Sequence, residues 1–345
     1  MEPAWTQALA PGAASPFGWI SSAGAAAAFA VGIAFLLDAA VGEPPRAMHP
    51  VAWFGRLVAP VDREWRRPGL VGTIALGAPL LAAAVAWGVV RATPTVVDAA
   101  VDGFGLAGTA PAWTGELAIA VAAGVVLFVT LSRRLLLVEA RTVIDTSVED
   151  PTIARDRLPS LAGRDPSSLS PGEVRSAAVE SAAENLADGL VAPLVAFALG
   201  AAVSLPLAAA AAAWVKAVNT LDSMLGYRSK PVGTPSAGLD DLVMAVPARV
   251  SALLLAVVAR DPGALSRAAQ WVKAPSSPNS GWPMATLAAA IDVRLEKPGS
   301  YVINPDAGFP DVDRGMVGVA LVDRAALLAF LFAGGWSLGL GGAFG

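Results

Sequence analysis

The sequence predicts an all-α fold: a polytopic integral membrane protein with helical and loop regions facing the cytoplasm. Only 15% of its 345 residues are charged while 55% are hydrophobic, where a soluble domain has about 25% charged residues. Mean hydropathy is +0.59. The apolar residues arrive in long Ala, Val, Leu and Gly runs, several of them about the 20 residues that a membrane-crossing helix needs.

Composition also excludes several classes of chemistry. Cys is absent, which removes disulfides, thiolate metal sites and Cys nucleophiles. A single His, His49, removes multi-His metal centres. A divalent cation would need oxygen ligands, as magnesium does. The net charge of −4 is spread along the chain without a basic run, so nucleic acid is not an expected partner.

In chain order, residues 1–19 hold Glu2 and no Lys or Arg. They lack the positive start of a cleaved signal peptide and read as a short non-cytoplasmic tail. Residues 20–40 form a first span with Asp38 at its end. The loop 41–69 carries Arg46, Arg56, Arg63, Arg66 and Arg67, which places it in the cytoplasm. Pro44-Pro45 and His49-Pro50 make part of it stiff and non-helical. His49 has two readings there, a locally bonded loop residue or a substrate contact. Residues 70–90 form a second span, and the loop after it is poor in basic residues. A third span covers 117–138, with Arg133 and Arg134 snorkelling at its cytoplasmic edge. Residues 139–189 read as a cytoplasmic helical insertion, within which Asp156, Arg157 and Arg164 read as solvated. A last span covers 317–340, with Asp323 and Arg324 expected at the interface. The chain is thus one membrane domain, 1–345, in a multi-pass arrangement in the cell membrane.

Two polar clusters stand out. Ser170-Pro171-Gly172-Glu173 is a capping box that starts a helix. Glu180, Glu184 and Asp188 follow at four-residue spacing, on one face. Like charges so placed repel by a few tenths of a kcal/mol per pair, and a bound cation would offset that. The second cluster runs from Lys216 through Asn219, Thr220, Asp222 and Ser223 to Arg228. A polar stripe packing helices together is its bland reading. Between the clusters, the apolar segment 190–215 is interrupted by Pro193, Gly200 and Pro206. A single span would part the clusters. A re-entrant hairpin would keep both in the cytoplasm, and is preferred for that reason. Asp240-Asp241 precedes the apolar segment 242–259 and reads as its helix cap. The stretch Ser276–Met284 offers an Asn-Ser-Gly core suited to an anion or to a plain turn. Lys297–Tyr301 reads as an exposed loop.

Seven pieces in register resemble the CobD/CbiB family of cobalamin biosynthesis. They are Leu37-Asp38 with Gly42-Glu43-Pro44-Pro45 and His49-Pro50-Val51; Val179–Gly189; Lys216–Met224; Leu239-Asp240-Asp241; Pro247-Ala248-Arg249; Ser277–Met284; and Leu295–Tyr301. The resemblance covers about residues 31 to 305. It implies an adenosylcobinamide-phosphate synthase, an ATP-dependent amide ligase. Such an enzyme joins a propionate of adenosylcobyric acid to aminopropanol or its phosphate, on the cytoplasmic side. ATP and magnesium are then expected, with Glu180, Glu184 and Asp188 holding the metal. Glu180, Glu184, Lys216, Asp222 and His49 become the catalytic candidates. Lys216 would stabilise the transferring phosphate, and His49 or Asp222 would take the amine's proton. Asp38, Asn185, Asn219, Thr220, Ser223, Asp241, Arg249, Asn279 and Ser280 become substrate-binding candidates. No G-x-x-x-x-G-K-[ST] is present, so a nucleotide must be held differently. Expected partners are the two substrates, the lipid bilayer, and other corrinoid-pathway enzymes or a second copy. The competing readings are a transporter of a corrinoid or other polar solute and a non-catalytic docking subunit. A proteoliposome flux assay against corrinoid-dependent ATP consumption separates enzyme from transporter.

Overall fold

A computed structural model describes residues 23–105, 111, 113–226 and 229–343. The N-terminal tail, and Tyr227-Arg228 at the end of the second polar cluster, lie outside the described residues. Helix α1 (Ala23–Ala40) is followed by α2 (Pro50–Val58), α3 (Pro68–Ala75) and α4 (Gly77–Gly103). Helix α5 (Trp113–Thr130) leads to α6 (Arg133–Glu149) and α7 (Pro151–Arg157). Helix α8 (Pro171–Leu186) passes through one π turn (Ala187–Val191) into α9 (Ala192–Ala201), and α10 (Leu205–Leu225) returns alongside it. Next come α11 (Thr234–Val243), α12 (Ala245–Val258), α13 (Gly263–Ala268) and α14 (Gly281–Ile291). A two-stranded antiparallel ribbon, β1 (Leu295–Lys297) and β2 (Tyr301–Ile303), precedes the long closing helix α15 (Val312–Ala343).

The protein is therefore an all-α polytopic membrane protein. Among the described residues, five helices are long and apolar enough to cross a bilayer, or six if the bent α11–α12 pair counts as one. Their outward faces carry large apolar side chains such as Leu80, Val85, Phe332 and Trp336, left exposed for lipid. Small residues let the helices approach. At Gly124 of α5 a Cβ would lie 2.7 Å from the Ala30 carbonyl of α1.

Polar contacts gather at one end of the bundle, where α1 and α5 finish. Arg133 there makes an ion pair with Asp323 of α15 and lies 3.6 Å from Asp38. Asp323 also meets Arg141 at 3.2 Å, so it knots α15 to α6. The Arg134 backbone N–H donates to Asp38 (3.2 Å), and its guanidinium caps the carbonyls of Ala39 and Ala40 (2.7 Å each). Asp38 is buried in this knot. It closes α1 against α6.

The segment 190–215 folds as a helical hairpin. Leu205, at its tip, packs with Ala26 and Ala120 near the far ends of α1 and α5. At its base, the Ser132 N–H donates to the Gly189 carbonyl at 3.2 Å, and Val215 packs with Ala192 and Met244. Both polar clusters therefore sit at the same end. Helix α4 runs to Gly103, well past the expected end of the span, with Pro94 inside it. Asp240 and Asp241 lie within α11 and cap nothing, because the helix already starts at Thr234 behind Pro231-Val232-Gly233. The exposed loop expected at 297–301 is the turn of the β-ribbon, with Gly299 at φ 70°, and Tyr301 is half-buried.

Candidate active site

The site is built on α8. Its capping box forms: the Ser170 hydroxyl accepts from the Glu173 N–H, and the Glu173 carboxylate accepts from the Ser170 N–H at 2.7 Å. That fixed start sets the azimuth of every later residue. One face of α8 is apolar and packs into the core. Another carries Glu180 and Glu184 down towards the hairpin.

Glu180 is buried at 2% exposure. Arg164, from the loop before α8, makes an ion pair with its Oε1, and the Tyr301 hydroxyl donates to the same oxygen at 2.6 Å. Burial and the adjacent Glu180 carboxylate push the Tyr301 phenol above its ordinary pKa, so it stays a donor. Arg164 is thus not solvated. Its side chain is only 11% exposed, because the Glu180 carboxylate needs a buried counter-charge. The second Glu180 oxygen, Oε2, is buried without a hydrogen-bond partner.

Around this triad lies a polar cavity of about 160 Å³, lined among others by Arg164, Glu180, Glu184, Ser277, Ser280 and Lys297. Its far wall is the Ser276–Ser280 loop. That loop is fixed from behind: Asn279 donates to the Asp241 carbonyl (2.7 Å), and Arg249 donates to the Asn279 Oδ1 (2.5 Å). Ser277 donates to the Asp241 carboxylate at 3.3 Å. Arg249 lies 5.2 Å over the Trp282 ring. Asp241, Arg249 and Asn279 therefore shape the wall, and Ser280 faces the cavity itself.

The acidic row continues inward. Glu184 faces Glu180 and Lys297. Asp188 sits in the π turn, where the extra residue rotates it towards α10. There it meets Lys216, Asp240 and the Asn219 amide. Asn219 also contacts Asp240, which neighbours Asp222. Gly226 leaves the room that the Asp222 carboxylate fills; a Cβ there would be 1.8 Å from its Oδ1. Asp222 Oδ1 and Asp240 Oδ1 are both buried with no hydrogen-bond partner. The hydroxyls of Thr220 and Ser223 donate to carbonyls of their own helix (2.7 and 2.8 Å), and Asn185 donates to the Ser181 carbonyl at 2.9 Å.

Lys216 lies within electrostatic reach of both Asp188 and Glu43. Glu43 lies in the loop after α1, where burial raises its pKa and Lys216 opposes the rise. His49 caps α2: its Nδ1 accepts from the Val51 N–H at 3.2 Å, and its Nε2 is 3.8 Å from Glu43. Burial first, then the Lys216 charge, lowers its pKa. The imidazole is thus neutral, with its one lone pair engaged in the cap. That geometry ties it to the start of α2 beside the Glu43 loop.

The three α8 carboxylates do not share an ion. Glu180 and Asp188 are eight residues apart, about 12 Å along a helix at 1.5 Å per residue, and Glu180 is committed to Arg164 and Tyr301. Among the described residues no group of three His, Asp or Glu side chains is placed to hold a metal. The donor set still suits magnesium carried in on a nucleotide, which needs one or two carboxylates beside phosphate oxygens and water. Asp188 and Asp240, with its free Oδ1, fit that role.

Sequence reasoning passed over Arg164, Tyr301, Lys297 and Glu43 as site residues. The last three lie inside family-like motifs, which was the available signal. Arg164 had none.

A profile of the CobD/Cbib protein family matches residues 31–318. The chain is 33% identical over 306 residues to a "Probable cobalamin biosynthesis protein CobD" of Methanothrix thermoacetophila, covering 87% of this chain and 94% of that one. It is 35% identical over 338 residues to the "Cobalamin biosynthesis protein CobD" of Klebsiella pneumoniae, covering 89% and 97%. Against the "Cobalamin biosynthesis protein CbiB" of Salmonella typhimurium the identity is 35% over 293 residues, covering 78% and 82%. No solved structure matches. With a family profile over most of its length and relatives above 30% identity, this chain belongs to the CobD/CbiB family of cobalamin biosynthesis proteins.

Proposed function

We propose that the protein is an ATP-dependent amide ligase that joins adenosylcobyric acid to aminopropanol phosphate, or to aminopropanol. We place its site on the cytoplasmic face of the cell membrane. The observation that carries this reading is the single polar track from the Arg164–Lys297 cavity, along Glu184 and Asp188, to Lys216. It combines cations for phosphate, buried carboxylates, and hydroxyls. It lies at the end of the bundle that the arginine-rich 41–69 loop marks as cytoplasmic.

A carboxylate and an amine do not condense unaided in water. In this reading a propionate oxygen attacks the γ-phosphorus of ATP, and ADP leaves. The amine nitrogen then attacks the acyl carbon, the carbon–oxygen bond to phosphate breaks, and inorganic phosphate departs. Phosphoryl transfer asks the protein mainly for positioning and positive charge. Lys216 supplies a point charge to the transferring group, while Asp188 and Asp240 would hold magnesium, which would neutralise charge on the phosphate. Asp222, with a free carboxylate oxygen, takes the proton the amine loses. Arg164, Lys297 and Ser280 bind an anionic group in the cavity, and Tyr301 and Arg164 hold Glu180 in place beside it.

The test is product analysis with purified protein, adenosylcobyric acid, ATP, magnesium and each amine. Wild type should form cobinamide phosphate or cobinamide with stoichiometric ADP. Lys216→Met should abolish product while the protein remains folded, and Asp240→Asn should depress product most at limiting magnesium. Product formed without ATP consumption, or undiminished in Lys216→Met, contradicts the reading.

A further inference from the structure

Away from this site, α12 and α15 run antiparallel and leave a groove between them. At its mouth is a cavity of about 810 Å³ framed by Arg260, Arg314 and Arg324 over an apolar floor that includes Val257, Ile291 and Leu321. Further along both helices the groove becomes an apolar cleft of about 430 Å³, walled by Leu254 and Leu253 of α12, Ala329, Ala333 and Trp336 of α15, and Leu194 of α9. We propose that this groove is a binding site for one anionic phospholipid, with its phosphodiester at the arginines and an acyl chain in the cleft.

Charge points to the headgroup. Arg260 and Arg324 are exposed and make no ion pair among the described residues. The nearby acids are otherwise committed: Asp323 pairs with Arg133 and Arg141, and Asp261 with Arg267. Asp292 lies 3.6 Å from Arg314, and its side chain is 78% exposed. Arg260 also holds φ 54° just past the end of α12, a left-handed position where glycine is the usual residue.

Depth points to the acyl chain. Arg324 is next to Asp323, in the ion-pair knot at the bundle end where α1 and α5 finish. From Arg324 to Trp336 is about 18 Å along a helix, close to one leaflet of a hydrocarbon core about 30 Å thick. The rim of the cleft, with Leu253, Phe332 and Trp336 exposed, opens sideways to lipid. A soluble phosphate ligand would leave this half of the groove without a function.

The test is native mass spectrometry of the full chain released from detergent with phosphatidylglycerol or phosphatidylcholine. One phosphatidylglycerol should be retained over phosphatidylcholine by about 10- to 30-fold, the worth of two unpaired arginines at a lipid surface. Arg260→Gln with Arg324→Gln should erase the preference, and Ala333→Trp should expel the lipid with all charges intact. Excess glycerol 3-phosphate should leave the adduct in place, which keeps the test open if Ala333→Trp does not fold. Preference surviving the double arginine variant, retention in Ala333→Trp, or displacement by glycerol 3-phosphate would overturn the proposal.

Discussion

Removing Arg164 strands the buried Glu180 carboxylate without its counter-charge. The pair's side chains are 11% and 2% exposed, so little solvent screening discounts it. Two charges about 4 Å apart attract by about 4 kcal/mol at an effective dielectric of about 20. Breaking a buried pair by deleting one partner costs about 3–5 kcal/mol. Arg164→Leu should therefore lose about that much stability. Glu180→Gln should lose less, since the amide carries no charge and can still accept from Tyr301. The decisive variant is Arg164→Leu with Glu180→Gln, because the penalty belongs to the orphaned charge. The double variant should recover about 2–3 kcal/mol relative to Arg164→Leu alone, at the upper end of couplings between touching residues. Denaturant unfolding in detergent micelles, followed by tryptophan fluorescence, reads all four proteins. Strict additivity, or a double variant less stable than Arg164→Leu, would refute the reasoning.

Further outcomes follow from the same geometry. Tyr301→Phe removes a hydrogen bond to a charged group and should cost about 1.5–3 kcal/mol in the same unfolding assay. His49, with a folded pKa below its ordinary 6.5, binds its proton more readily in the unfolded chain. Its contribution is therefore full above pH 6.5 and is lost as pH falls towards the folded value. Unfolding midpoints taken between pH 7.5 and pH 5 should show this limb flattened in His49→Asn, which keeps the cap acceptor. Gly281→Ala would put a Cβ 2.0 Å from the Val272 carbonyl. It should push the Ser276–Ser280 wall outward, costing at least about 1–3 kcal/mol of stability and weakening substrate binding by calorimetry.

The fold was legible where local chemistry decides it. The Ser170–Glu173 capping box, the all-α membrane class and the hairpin at 190–215 were readable, because each is set by neighbours within a few residues or by the bilayer. What stayed hidden depends on tertiary placement. Arg164 reads as one more loop arginine until the chain returns and lays Glu180 beneath it. The π turn at Ala187–Val191 has no signature in composition, yet it turns Asp188 off the Glu180–Glu184 face and towards Lys216, so a regular helix gave the wrong ligand set. Strands of three residues are too short for an alternation pattern, which is why the ribbon holding Tyr301 read as a loop. His49 was singled out for its type, but only the Val51 contact shows that its lone pair is engaged.

The reaction itself is tested most directly by isotope transfer. Adenosylcobyric acid labelled with ¹⁸O in the reacting carboxylate is turned over with ATP, magnesium and aminopropanol phosphate, and the inorganic phosphate is weighed by mass spectrometry. Activation as an acyl phosphate predicts one ¹⁸O in each phosphate released, in step with cobinamide phosphate. Label absent from phosphate, or carried on AMP, would contradict the account.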